Sequence, residues 1–191
     1  MQFSKIEVLH LLQAWGIISL AFAIAMVGPR AALWGAIPFA LVTVGIGFVL
    51  HELAHKYFAQ RYRCWAEFRA DMRMLLFALV LSFTGFIFAA PGAVMIHGPF
   101  LTTRQHGIVS LAGPATNVVA AILFWVLAIF SQSESILQTL GTYGLQINAW
   151  LALFNLIPFG PFDGKKVYEW NKIVYSSVIV VSIILIAISW M

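Results

Sequence analysis

The sequence predicts an all-α polytopic membrane protein with about five transmembrane helices and a re-entrant or interfacial segment that contains short strands. Of its 191 residues, 62% are hydrophobic and only 9% are charged. The mean hydropathy of +0.93 is far above that of a soluble domain. Uncharged runs close to the roughly 20 residues that cross a bilayer as a helix recur along the chain. They occupy residues 8–27, 31–50, 74–96, 107–130, 135–162 and 173–191.

The charged residues flank these runs and form no continuous basic patch. We therefore interpret the net charge of +4 as a set of topology determinants and contacts to lipid headgroups. The lipid bilayer is an expected partner and nucleic acid is not. No stretch is polar enough for a soluble domain, so we expect residues 1–191 to form a single membrane-embedded domain. Cys64 is the only cysteine in the sequence, which excludes an internal disulfide and a cysteine-based metal cluster.

Two histidines and a glutamate, in the motif His51-Glu52-Leu53-Ala54-His55, follow the uncharged run 31–50. Residues four apart in a helix project from the same face, so both imidazoles can reach one divalent cation, and Glu52 lies beside any water on that cation. A chance match is expected only about 0.003 times in a chain of this composition. The motif predicts a zinc site with Glu52 as the general base.

A second unusual segment ends the run 135–162. Two prolines and two glycines between Pro158 and Gly164 cannot remain helical, so the freed backbone groups need burial in protein or a wet cavity. Asp163 lies in this segment and supplies a third, oxygen ligand. Two imidazoles and one carboxylate leave a fourth position on zinc for water. We therefore predict one Zn²⁺ per chain, bound by His51, His55 and Asp163.

Two further segments carry less specific signals. Gly113 and Asn117 are four apart in the run 107–130, where Asn117 could serve helix packing or an active site. Ala93, Val94, Met95, Ile96 and His97 lie between the breakers Pro91-Gly92 and Gly98-Pro99. The pattern favours a short strand, with an interfacial loop as the alternative.

These motifs together resemble the site-2 protease family of intramembrane zinc metalloproteases. The resemblance covers about residues 32–170 and rests on the histidine motif, on Gly113-Pro-Ala-Thr-Asn117, and on Asn155-x-x-Pro158 leading to Asp163-Gly164. It implies cleavage within or near the transmembrane segment of a single-span or other membrane protein. It further implies that Asn117 and Asn155 hold the substrate or the oxyanion, and that the strand at residues 93–97 pairs with the substrate.

The topology depends on whether residues 74–90 cross the bilayer. If they do not, five helices cross and, of the eleven Lys and Arg residues, only Arg30 lies outside the cytosol, as the positive-inside rule favours. We therefore expect a multi-pass protein with its active site nearer the cytosolic face. The competing function is a metal or ion transporter, because intramembrane His, Glu and Asp also mark ion pathways. The absence of an inverted repeat weighs against it.

Overall fold

A computed structural model describes residues 1–29, 31–87 and 91–190, and most of these residues are helical. The first half of the chain contains α1 (Lys5–Val27), α2 (Leu33–Val44), a π-helical turn (Gly45–Val49), α3 (Leu50–Arg61), β1 (Trp65–Ala70), α4 (Met72–Ser82) and β2 (Gly92–His97). The second half contains α5 (Thr103–Phe130), α6 (Ile136–Asn155), α7 (Gly164–Trp170) and α8 (Lys172–Ile188).

Three helices are long and apolar enough to cross a membrane: Lys5–Val27, the continuous Leu33–Arg61 and Thr103–Phe130. The apolar helices α4 and α8 are shorter, and α6 is not among the three candidates, so the predicted count of about five crossings is not confirmed. With 11 residues, α4 is about 16 Å long, about half of the hydrocarbon thickness. This length agrees with a re-entrant or interfacial segment. Residues 88–90 of the predicted apolar run, and Arg30, lie outside the described residues.

Polar side chains define where the helices begin. Ser4, Asp71, Ser135 and Asn171 each accept a hydrogen bond from a backbone N–H in the first turn of the helix that follows. At the start of α5, Thr102 and Gln105 form a reciprocal capping box. Such caps satisfy N–H groups that have no partner within the helix. The helix boundaries thus follow local sequence signals next to the apolar runs.

The two strands form an antiparallel pair in which Trp65 lies opposite His97 and Ala70 opposite Gly92. The strand predicted at residues 93–97 is therefore present, and it begins one residue earlier. Helix α1 covers the other edge of β1: the Phe68 N–H donates to Glu7 Oε1 at 3.0 Å. The Ala70 N–H donates to His10 Nδ1 at 3.2 Å. Among the described residues, no group pairs with the outer edge of β2.

Three apolar clusters hold the helices together. One joins α1, α2 and the π-helical turn to β1 and α4, around Ile18, Val44 and Phe68. Another joins α5, α6 and α8 around Ala121, Ala149 and Leu185. The third, smaller cluster joins the motif helix α3 to β1 and α5, and α3 packs closely on α5. This arrangement places the histidine motif in the interior.

A buried ion pair fastens α1 to the motif helix. Lys56 Nζ donates to Glu7 Oε2 at 2.5 Å, and the two residues are 1% and 0% exposed. The ammonium group also lies 4.2 Å from the centre of the Phe3 ring. Because Glu7 also accepts the Phe68 N–H, one carboxylate joins α1, α3 and β1. Removing one partner of such a pair leaves the other charged, buried and unpaired.

We expect Glu7→Gln to lower the free energy of unfolding by about 3–5 kcal/mol, since it leaves the Lys56 ammonium without a counter-charge. Denaturant titration in detergent micelles measures the change. Glu134→Gln is the matched control, because Glu134 is exposed and no described residue forms an ion pair with it. Equal stability of the two variants would contradict a structural role for the pair.

Candidate metal centre

Three side chains that could bind one metal ion meet between the C-terminal half of the continuous helix Leu33–Arg61 and the start of α7. We call this continuous helix the motif span. His51 Nε2 and His55 Nε2 are 2.9 Å apart. Asp163 Oδ2 lies 3.5 Å from the first nitrogen and 3.1 Å from the second. The structure thus brings together the three residues that the sequence predicts as metal ligands. Among the described residues, they form the one group of His, Cys, Asp and Glu side chains that is close enough to hold a metal ion.

The other nitrogen of each imidazole is held by α5. His51 Nδ1 lies 2.6 Å from Asn117 Oδ1, and His55 Nδ1 lies 2.7 Å from the Val109 carbonyl oxygen. Both partners are acceptors, so each Nδ1 carries the proton and donates it. Each Nε2 therefore presents its lone pair on the side of Asp163. This tautomer is the one that a metal-binding histidine requires at Nε2.

The donor atoms fit zinc by type and by spacing. Three ligands of a tetrahedral zinc ion, at about 2.0–2.2 Å from the metal, lie about 3.3–3.6 Å from one another. The observed separations of 2.9, 3.1 and 3.5 Å are close to these values. Two imidazoles and one carboxylate form a typical catalytic set, which leaves one position for water.

Asp163 owes its position to the broken segment between α6 and α7. Residues 156–163 are not helical, as the prolines and glycines predict. A Cβ atom on Gly164 would collide with the carbonyl group of Leu156. Residue 164, which directly follows Asp163, therefore has to be glycine for α7 to start against the end of α6. This close approach directs the carboxylate of Asp163 towards α3.

A second close contact places α5 against the imidazoles. A Cβ atom on Gly113 would collide with the Nε2 atoms of both His51 and His55. The sequence predicts that a small residue here permits close approach of helices. The structure identifies the neighbour as the pair of histidines. Any larger residue at position 113 would displace them or occupy the space in front of their nitrogens.

Asn117 is fully buried, and both ends of its amide are used within the protein. Its oxygen accepts from His51 Nδ1. Its nitrogen donates to the Gly47 carbonyl oxygen at 2.9 Å and lies 3.1 Å from Asn148 Oδ1. Gly47 belongs to the π-helical turn. These contacts support a role in orienting His51, whereas the substrate or oxyanion role that the resemblance implies stays untested.

Glu52 faces a small cavity of about 130 Å³ that His51, His55 and Asp163 also line. Glu52 is 7% exposed, and its carboxylate forms no hydrogen bond or ion pair with any residue in the described part of the chain. A buried carboxylate without a protein partner needs water or a ligand. The cavity is where such a molecule would bind.

Of the remaining predicted residues, some line the same cavity and some do not. Asn155 lines it and donates its amide N–H to the Leu151 carbonyl oxygen at 2.9 Å. Ala93, Val94 and Ile96 of β2 also line it. Met95 and His97 point to the exposed face of the hairpin, where His97 contacts the Trp65 ring. The strand therefore presents only part of its length to the cavity.

Two contributors to the site were not identified from the sequence. Asn148 is fully buried and joins α6 to Asn117. An asparagine within the uncharged run 135–162 was the available signal, because an amide in apolar surroundings requires a partner. The Val109 carbonyl group gives no sequence signal, since every residue carries one.

Comparison with known proteins agrees with this geometry. The sequence profile of peptidase family M50 matches residues 39–144. A protein of Methanocaldococcus jannaschii, named as a candidate zinc metalloprotease, is 42% identical over 139 residues, which cover 72% of this chain and 73% of that protein. A Bacillus subtilis protein with the same description is 27% identical over 150 residues, 69% of this chain and 68% of its own. No solved structure matches the chain at a significant level.

The hydrogen bond from His51 to Asn117 generates a prediction about metal affinity. We expect Asn117→Leu to weaken zinc binding by about 10- to 100-fold, because His51 loses the acceptor that fixes its ring and its tautomer. Competition with a chromophoric chelator measures the affinity. Thr116→Val is the control, since the Thr116 hydroxyl donates only to Ala112 of its own helix. An unchanged affinity in Asn117→Leu would exclude the orienting role.

Proposed function

Because the chain belongs to peptidase family M50, the site-2 protease family, we propose that it is an intramembrane zinc metalloprotease. It hydrolyses a peptide bond within or near the transmembrane segment of a membrane protein. The observation that carries the proposal is the meeting of His51, His55 and Asp163 beside the unpartnered carboxylate of Glu52. Neither the comparisons nor the site geometry favours the transporter alternative.

The chemistry divides between the metal and the protein. When bound, zinc supplies a Lewis acid that makes water acidic enough to ionise near neutral pH and polarises the scissile carbonyl group. Glu52 accepts the proton from the attacking water and delivers it to the departing amide nitrogen. His51, His55 and Asp163 would hold the metal, and Asn117 fixes the ring of His51. Asn155, at the wall of the cavity, is available to the substrate through its amide oxygen.

The proposed topology has five crossings, with α4 and the hairpin entering the membrane from one side. The support is the shortness of α4 and the position of the basic residues next to the hairpin and α7. In this arrangement the N-terminus, the hairpin and Asp163 lie towards the cytosol. The metal site is then nearer the cytosolic face.

The substrate strand binds the free edge of β2. A transmembrane helix hides its carbonyl groups in internal hydrogen bonds, so it must unwind locally before cleavage. Each backbone group freed in the bilayer costs several kcal/mol unless it is paired again. An unpaired strand edge supplies such partners by β-addition. The support for this edge is that Val94 and Ile96 of β2 line the cavity together with the metal ligands.

The hydrogen bonds of β1 indicate which β2 residues face that edge. Phe68 and Ala70 direct their N–H groups to α1, so they do not bond β2. Their opposite residues are Val94 and Gly92. In an antiparallel pair, opposite residues exchange both hydrogen bonds or neither. Because the direction of the backbone N–H and C=O groups alternates along a strand, those of Ile96 point away from β1, as those of Val94 do. Val94 and Ile96 therefore offer backbone groups to a substrate. Ala93, Met95 and His97 instead bond β1.

The assignment of base and ligands predicts two classes of variant. Glu52→Gln should lose turnover and keep zinc, because it removes the proton acceptor and no metal ligand. His51→Ala, His55→Ala and Asp163→Ala should each weaken zinc binding, since each removes a bond to the metal. Elemental analysis of purified protein, together with cleavage of a single-span substrate, separates the classes. Loss of zinc in Glu52→Gln would make Glu52 a ligand and overturn the assignment.

The assignment of the strand edge predicts a selective effect of proline. Ile96→Pro should lower kcat/KM by tenfold or more, because it removes an outward N–H, and should leave zinc content unchanged. Ile96→Ala is the matched control, because it shortens the side chain and keeps the N–H. Met95→Pro should instead lower thermal stability, since that N–H belongs to the β1–β2 ladder. Wild-type cleavage by Ile96→Pro would contradict substrate pairing at this edge.

A further inference from the structure

A second, larger cavity lies beside the metal site, between α1, α6 and the segment of residues 85–87 that follows α4. Its volume is about 460 Å³. Its walls are mainly apolar and include Phe22 and Met26 of α1 and Trp150 and Leu151 of α6. We refer to this cavity as the α1–α6 groove. In a membrane-embedded protein, such a groove accepts either a lipid chain or an apolar helix.

The groove and the catalytic cavity follow one another along the same two helices. Leu151 lines both. On α1, Ile18 lines the catalytic cavity and Phe22, one turn later, lines the groove. On α6, Asn155 lines the catalytic cavity and Ile147, two turns earlier, lines the groove. A polypeptide leaving the metal site along this seam therefore passes into the groove.

One polar side chain distinguishes this groove from a simple lipid site. Gln146 of α6 lines it and is half-buried, yet its amide forms no hydrogen bond with any residue that the structure describes. An amide without a partner in apolar surroundings is costly, because it has exchanged water for nothing. A hydrocarbon chain in the groove would leave that cost in place. An occupant with its own polar group would remove it.

We propose that the α1–α6 groove binds the transmembrane helix of the substrate, and that Gln146 selects helices with a polar residue by hydrogen bonding to it. This inference rests on the proposed protease function and adds a specificity-determining residue to it. An asparagine in a substrate helix offers both a donor and an acceptor to the Gln146 amide. Interhelical hydrogen bonds of this kind stabilise helix association in membranes.

The spacing along α6 sets where that polar residue should be. Gln146 and Asn155 are nine residues apart, which is about 13 Å along the helix axis. The same distance corresponds to about four extended residues or about nine helical residues of a substrate. Since only the segment at the metal site must unwind, the selected polar residue should lie four to nine residues from the scissile bond.

The test uses a set of synthetic single-span peptides of leucine and alanine. Each peptide carries one asparagine, at a different distance from the cleavage site. In the reference peptide, leucine replaces that asparagine. Binding is measured by fluorescence energy transfer in nanodiscs with the inactive Glu52→Gln protein. Cleavage is measured with the active protein. Gln146→Leu is compared with Gln132→Leu, the same change at an exposed residue outside the groove.

We expect the protein with Gln146 to prefer asparagine peptides over the leucine peptide by five- to tenfold, within the window of four to nine residues, in both assays. Gln146→Leu should abolish this preference and retain zinc. Gln132→Leu should keep the preference. The proposal would be overturned if the preference survives in Gln146→Leu, or if the protein that keeps Gln146 binds all peptides equally. The groove would then be a lipid-binding site. If even the peptides with asparagine in the window are not cleaved, the result counts against the protease function, and the binding comparison with Glu52→Gln still decides the role of Gln146.

Discussion

The site depends on the hydrogen bond between His51 and Asn117. In a lipid environment a polar group finds its partner inside the protein or not at all. Asn117 satisfies this requirement for three elements at once, since its amide contacts His51, the Gly47 carbonyl and Asn148. The motif span, α5 and α6 are therefore fixed to one another at the level of the histidines. Because the buried amide of Asn117 must find all its partners inside the protein, the same hydrogen bonds that satisfy it also orient the imidazole of His51.

Much of the candidate site could be predicted because its residue types are expensive in a membrane. His51, Glu52, His55 and Asp163 are recognisable since each interrupts or ends an apolar run. The helical fold and the break before Asp163 follow from composition, proline and glycine. The number of membrane-spanning helices was harder to predict from the sequence. The helices α4 and α8 are as apolar as the longer helices, and only their length distinguishes them.

The contacts that could not be predicted are those between distant segments. Glu7 meets Lys56, 49 residues later, and Phe68, and none of the three carries a local signal for its partner. The pairing of β1 with β2 depends on the chain path between them. The roles of Asn148 and the Val109 carbonyl require knowledge of which helix faces the histidines. Periodicity and spacing define elements and faces, whereas such pairings are decided by packing.

The hairpin also shows how one strand edge can be closed and the other left open. On β1, the side chains of Glu7 and His10 take the place of a neighbouring strand. This cover leaves the outer edge of β2 as the remaining place for strand addition among the described residues. The antiparallel register directs alternate residues of β2 to the ladder with β1 and to the open edge. Edge strands in soluble proteins are usually protected against such additions.

Glu7 precedes both of its partners in the chain, and this order has a consequence for how the protein is made. Both of its partners, Lys56 and the Phe68 amide, are synthesised later than α1 itself. During synthesis, α1 therefore carries a carboxylate that has no partner until the motif span and β1 have also emerged. Water or the insertion machinery must accommodate that charge in the meantime. The final docking of the first helix is thus a late event, and it can occur only when the motif helix is correctly in place.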